Sequence, residues 1–327
     1  MTAILGSINR RINSRPFDAM TTPIHTPRGR YGLVHYGVIV PGLPDPLRFF
    51  NAILILGDAR IPVFDNRGYT TTTPADSAWL LLGSAAITDG FHLYSAADDG
   101  DLAADGSHLR LGGVTLERST DCVKLAVNRP DVEIELVLEP TSAVSQFARR
   151  SGLYDHWSVL CDYRGGFTTG GEQIEVSGLC TYEYARAVNL PMPVRFFTYH
   201  VLNIDANVQV LLAEQRGPQG LPLQRSVYVR NRDGTSEELT NKFRFDVLEH
   251  AEPAVLTPDG RRMQLPRRFS WAVRDQSGRD VVTIEGISND DFVYGLGAGY
   301  VGSYQYSGTY RGRAISGTGY VEWIDRR

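Results

Sequence analysis

The sequence predicts an all-β protein built from two antiparallel barrels or curved sheets. Helical signals are scarce, because no long stretch keeps apolar residues at helical spacing. Short runs of β-branched and aromatic residues recur instead, punctuated by turn pairs such as Asp99-Gly100, Asp105-Gly106, Gly170-Gly171 and Asp259-Gly260. The chain has 327 residues, of which 42% are hydrophobic, enough to fill two ordinary cores.

Taken in order, the strand-like runs are 31–40, 48–57, 79–86, 108–118, 122–128, 132–139, 156–163 and 172–184. They continue at 195–204, 207–215, 224–230, 242–249, 268–274, 281–287 and through much of 292–324. The run 131–138 alternates cleanly, with Val132, Ile134, Leu136 and Leu138 on one parity and Asp131, Glu133 and Glu135 on the other. That is the mark of a strand with one buried face. The total is about twice what one small barrel needs. A boundary is therefore expected in the proline-punctuated stretch after Arg186, dividing the chain into 1–188, with an irregular N-terminal arm, and 189–327.

Charge and motif content exclude several functions. A formal charge of -4 argues against nucleic acid, which needs a basic face. No run approaches the ~20 apolar residues of a membrane helix, and the N-terminus lacks the apolar core of a signal peptide. A cytoplasmic protein without an integral membrane segment is the expectation. Cys122, Cys161 and Cys180 read as small buried thiols; a Cys161–Cys180 bridge requires that their two strands pair. No phosphate loop, dinucleotide fingerprint, HExxH or nucleophile elbow is present, and the seven histidines lack ligand spacing, so no metal is expected.

Ionisable groups instead interrupt two central strands, where burying an unpaired charge is costly. In 154–165, His156, Ser158 and Asp162 share one face, and Trp157, Val159, Cys161 and Tyr163 the other. In 174–186, Glu183 shares a face with Leu179, Thr181 and Ala185, opposite Tyr182 and Tyr184. A carboxyl in such a dry setting would hold a proton at neutral pH and serve as an acid, with His156 as partner. The alternative is a structural ion pair with Arg186 or Arg164. Near the C-terminus, Tyr300, Tyr304 and Tyr306 share a parity, with glycines and hydroxyl residues on the other. They read either as core aromatics of a tightly curved wall or as the lining of a pocket.

The midchain stretch Gly178-Leu-Cys-Thr-Tyr-Glu183 and the C-terminal Gly317-Thr-Gly-Tyr-Val-Glu322 resemble the double-lipocalin proteins. That group includes carotenoid 1,2-hydratase (hydroxyneurosporene synthase), the AttH-like proteins and related Diels–Alderases. The resemblance implies two lipocalin-like domains and cofactor-free chemistry on a small apolar molecule. It sets Glu183 where the hydratases carry the Asp assigned to catalysis. The expected function is acid-promoted hydration, cyclisation or isomerisation of a terpenoid- or polyketide-like alkene. Glu183 or Asp162 would donate the proton, with His156 as partner; if Glu183 is half of a structural ion pair, the acid is to be sought at Asp162 or Glu322. Trp157, Tyr182, Tyr300, Tyr304 and Tyr306 would face the substrate and stabilise a cation. A non-catalytic lipid or pigment carrier is the rival. A hydrolase built on Ser158 and His156 is a third reading, resting only on their shared strand face.

Overall fold

The computed structural model describes residues 12–13, 15–58, 61–65, 67–87, 90–150, 152–239 and 243–327. Residues 1–11, where the irregular arm is expected, lie outside them. Two large antiparallel sheets, each curved into a half-barrel, account for nearly all of the described structure.

The first sheet has 11 strands, all between Tyr31 and Val188. Its centre runs Phe49–Gly57, Tyr31–Pro41, Glu172–Val188, Tyr154–Thr169, Val132–Arg150. The second has 10 strands, all between Phe196 and Asp325, centred on Val208–Arg216, Phe196–Asn203, Arg313–Asp325 and Gly299–Tyr310. In both sheets the strand first in sequence pairs with the strand last in sequence. Residues 189–195 carry the chain from one sheet to the other.

Period-2 alternation explains why three large cores form. Val132, Ile134, Leu136 and Leu138 are buried in the concave core of the first sheet, while Glu133 and Glu135 are exposed, as the pattern predicts. Trp157, Cys161, Cys180, Tyr182 and Tyr184 fill the same core. Cys161 and Cys180 face each other in register there as free thiols. The second sheet encloses its own core around Trp271, Trp323 and Phe269. Tyr300, Tyr304 and Tyr306 belong to that core, so the core reading of these tyrosines holds. A Cβ at Gly319 would lie 2.4 Å from Tyr304 Cζ, so the tyrosine ring occupies space that only a glycine leaves free.

The third core lies between the two sheets, where their outer faces meet. It collects Ile39, Ile53, Trp79 and Phe147 from the first half and Phe197, Tyr199, Leu211, Tyr228 and Tyr320 from the second. Phe147 is reached through an irregular stretch of the Val132–Arg150 strand. Its pairing slips near Pro140, which has no N–H to give the ladder.

One cation is sealed in this seam. Arg230 is 0% exposed; it donates from Nη1 to Ser158 Oγ at 2.6 Å and from Nη2 to Thr181 Oγ1 at 2.6 Å and to Gln209 Oε1. Ser158 and Thr181 belong to the first sheet and Arg230 to the second, so the guanidinium ties the halves together. Arg230→Ala would strand those acceptors and leave a void in the seam. We expect it to lower the unfolding free energy by about 3–5 kcal/mol, read from the urea midpoint. A loss below about 1 kcal/mol, the scale of an exposed pair, would mean that apolar contact alone holds the seam.

Candidate active site in the seam between the sheets

Where the closing strands of both sheets meet, the seam opens into a cavity of about 360 Å³. Most of its wall is apolar, with Leu33, Ile55, Phe64, Phe147, Phe197 and Leu296 prominent. The size and lining suit a small organic molecule. Four ionisable side chains, His35, His156, Glu183 and Glu322, line it together with Tyr154 and Tyr199.

Each arrives by strand alternation. On Glu172–Val188, Tyr182 and Tyr184 enter the first core, which turns Glu183 and Ala185 to the seam. On Tyr31–Pro41, Val34 and Tyr36 enter that core and His35 faces out. Gly37 is the register partner of Glu183, and a Cβ there would sit 3.0 Å from His35 Nε2. Glycine at 37 thus leaves room for the imidazole beside the carboxylate. On Phe196–Asn203 and Arg313–Asp325, Tyr199 and Glu322 are register partners on the seam face. His200 and Trp323 face the second core.

Glu183 is 3% exposed. Its Oε1 accepts from the Tyr199 hydroxyl, and its Oε2 lies 3.8 Å from His35 Nε2 and 3.7 Å from His156 Nε2. The two imidazoles meet edge to face, 6.2 Å between centroids. His156 Nδ1 lies 3.0 Å from the Tyr154 hydroxyl, and its ring packs on Phe147 at 4.6 Å. Glu322 is 5% exposed, and its Oε1 accepts from the Tyr320 hydroxyl at 3.0 Å.

The two carboxyls are driven apart. Burial alone would raise Glu183, but His156 and His35 beside it hold its pKa well below the carboxylate range. Burial pushes the Glu322 pKa up, and the negative charge of Glu183 pushes it further, against the Tyr320 hydrogen bond. Burial also lowers His35, which Glu183 only partly offsets, and raises the Tyr199 phenol. Two like charges in one dry site do not both form. The surroundings thus favour the carboxylate form at Glu183 and the protonated form at Glu322. The shift runs opposite to the one expected for Glu183 from its apolar strand face, because His35 joins His156 beside it.

The structure brings Glu183 and His156 together, places the fallback acid Glu322 in the same cavity, and adds His35 and Tyr199. It does not bring Asp162 to the cavity: Asp162 shares their strand face but lies toward the far end, half-exposed and paired with Arg232 at 2.9 Å. Trp157 and Tyr182 lie on the opposite strand faces, inside the first core, 5.9 Å apart. Tyr300, Tyr304 and Tyr306 are in the second core. None of these five aromatics lines the cavity. Neither anticipated ion-pair partner holds Glu183: Arg186 binds Asp155 at 2.7 Å, and Arg164 binds Glu139. Ser158 is taken by Arg230 rather than by His156. His35 and Tyr199 were missed because each sits in a strand whose two faces are both buried.

The split of the two carboxyls has a pH signature. Glu322, raised in the folded state, favours folding most at low pH, and its contribution is lost as pH climbs from its ordinary value of 4.5 through its folded value. Glu322→Gln removes this dependence. Above about pH 5, the stability of the parent should fall relative to Glu322→Gln with a slope of up to about 1.4 kcal/mol per pH unit, read from urea midpoints. Parallel curves would show that Glu322 is ionised in the folded protein.

Among the described residues, no helix is long and apolar enough to cross a membrane. No curated protein matches the sequence. Solved structures share the fold. An AttH assigned in Nitrosomonas europaea is 14% identical at TM-score 0.66, covering 92% of this chain and 95% of that one. Kievitone hydratase from Nectria haematococca is 13% identical at TM-score 0.59, with 95% of each chain covered. CghA with Sch210972 is 8% identical at TM-score 0.55, covering 95% of this chain and 97% of the other. At such identities the likeness is one of fold, and it agrees with the resemblance drawn from the sequence. Residues 53–327 match the model of the family of unknown function DUF6670, and the chain belongs to that family.

Proposed function

We propose that the chain is a cofactor-independent enzyme that adds water to, cyclises or isomerises an alkene in an apolar, terpenoid- or polyketide-like molecule. One observation carries this reading: two buried glutamates line the same largely apolar cavity, Glu183 beside two imidazoles and a phenol and Glu322 beside a single phenol. A carrier needs only the apolar wall. Paired acid and base groups in a dry site fit proton transfer.

In this reading Glu322 gives its proton to one alkene carbon, and positive charge develops on the other. Phe147, Phe197 and Tyr199 take over the cation-facing role assigned from sequence to other aromatics, each worth ~0.5–2 kcal/mol. Glu183, with His156 or His35, takes a proton from the attacking water in hydration, or from a neighbouring carbon in isomerisation. The Oε2 to Nε2 distances of 3.7 and 3.8 Å exceed a direct hydrogen bond. The name of kievitone hydratase supports the reading, since it assigns a hydration to this fold.

The test is a panel of terpenoid and polyketide alkenes, scored by mass spectrometry for gain of one water or for an isomer. On any substrate found, Glu322→Gln and Glu183→Gln should each lower kcat ~10²–10⁴-fold, the usual contribution of general acid–base catalysis, with His156→Ala milder. Binding of a hydrophobic fluorophore should stay nearly intact. Saturable fluorophore binding without turnover across the panel would favour the carrier, and unchanged kcat in both Gln variants would refute the assigned roles.

A further inference from the structure

Six large hydrophobic residues are at least about half exposed among the described residues: Leu153, Leu190, Leu221, Leu248, Leu256 and Ile287. Lone exposed leucines are ordinary. Here three of the six gather on the segments that form one wall of the cavity. Leu153 precedes the lining residue Tyr154, Leu190 leads into Met192 and Pro193, and Leu221 leads into Leu223 and Gln224. Backbone contacts join these segments. Val188 N–H donates to Leu153 C=O at 3.0 Å, and Gly217 N–H donates to Leu221 C=O at 2.8 Å. A Cβ at Gly217 would lie 3.3 Å from Pro193 O. Leu153, Leu190 and Leu221 are 50%, 51% and 51% exposed, so the apolar lining continues outward as an apolar rim.

Cations flank this rim in a chain of net charge -4. The Arg30 guanidinium lies against Gly152, where a Cβ would meet its Nη2 at 1.9 Å, and reaches the Tyr31 hydroxyl at 3.5 Å. Arg195 follows Pro193, and its N–H donates to Arg216 C=O at 2.8 Å. Both arginines are exposed, and neither pairs with a carboxylate among the described residues. Arginines beside projecting aliphatic side chains match the layering of a lipid surface, with phosphates outermost and acyl chains beneath. The cavity supplies the reason for such a surface. Its occupant would be apolar and would partition into lipid, so a mouth seated on that lipid gives it a path that avoids water.

We propose that this rim docks reversibly on an anionic phospholipid surface, with Leu153, Leu190 and Leu221 entering the interface and Arg30 and Arg195 meeting headgroup phosphates. The docking is independent of catalysis and serves an enzyme or a carrier alike.

Flotation with vesicles of phosphatidylglycerol and phosphatidylcholine in equal parts tests it on the full chain. The wild-type protein should float, and less so as salt rises. Changing Leu153, Leu190 and Leu221 each to Glu should weaken the partition at least about tenfold. Arg30→Glu with Arg195→Glu should weaken it on these vesicles. Leu248→Glu with Ile287→Glu, outside the cavity lining and on strands toward the other edge of the second sheet from Leu221, should leave it unchanged. Because all of these side chains are exposed, near-ultraviolet circular dichroism should match across the variants. The proposal is overturned if the wild-type protein does not float, or if the control loses as much as the rim variant. It falls equally if the rim changes only split a dimer in size-exclusion chromatography, which would make the rim a self-association face.

Discussion

Two carboxyl groups share one water-poor seam, and that constraint organises the rest of the molecule. A buried negative charge is tolerable when it is compensated, and the seam compensates Glu183 with two imidazoles and a phenol. Among the described residues Glu322 has a single hydroxyl donor, and burial favours its protonated form. The asymmetry is set by neighbours supplied from four different strands. It therefore exists only when the two sheets are correctly docked.

Docking must then be accurate, and the chain meets this with polar contacts as well as apolar bulk. Arg230 reaches across from the second sheet to two hydroxyls of the first, and Asn203 donates to Leu179 C=O at 2.9 Å. Hydrogen bonds of this kind fix relative position, which apolar packing alone does less well. The arrangement also holds Tyr199 against Glu183 across the seam. Structural and chemical demands on this interface are thus met by adjacent residues of the same strands.

Much of this was legible in the sequence, and the rest was lost for physical reasons. Alternation told correctly that Val132 to Leu138 present one buried face and that Glu183 faces away from Tyr182 and Tyr184. It also put Trp157 opposite His156, which should have removed Trp157 and Tyr182 from the substrate wall. Period-2 reasoning names the face of a residue but not its height along the strand. Asp162 illustrates this: it is four positions beyond Ser158, the register partner of Glu183, or roughly 13 Å away along the strand. His35 and Tyr199 were illegible because both faces of their strands are covered, one by a barrel core and one by the other sheet. In Tyr31–Pro41 and Phe196–Asn203 this leaves near-continuous burial and no polar face to read.

Pairing of first strand with last occurs twice, and the site straddles both occurrences. In the first half the closing strand brings Glu183, flanked by Tyr182 and Tyr184, while the opening strand brings His35. In the second half the closing strand brings Glu322, flanked by Val321 and Trp323, while the opening strand brings Tyr199. Each glutamate thus sits on the closing strand of its own sheet, between side chains that anchor that sheet's core. Their companions differ: Glu183 has two imidazoles and the Tyr199 phenol, and Glu322 has the Tyr320 phenol. Closure made the same way in each sheet turns a carboxyl of either closing strand into the seam, and the side chains gathered around each decide which one holds a proton more tightly.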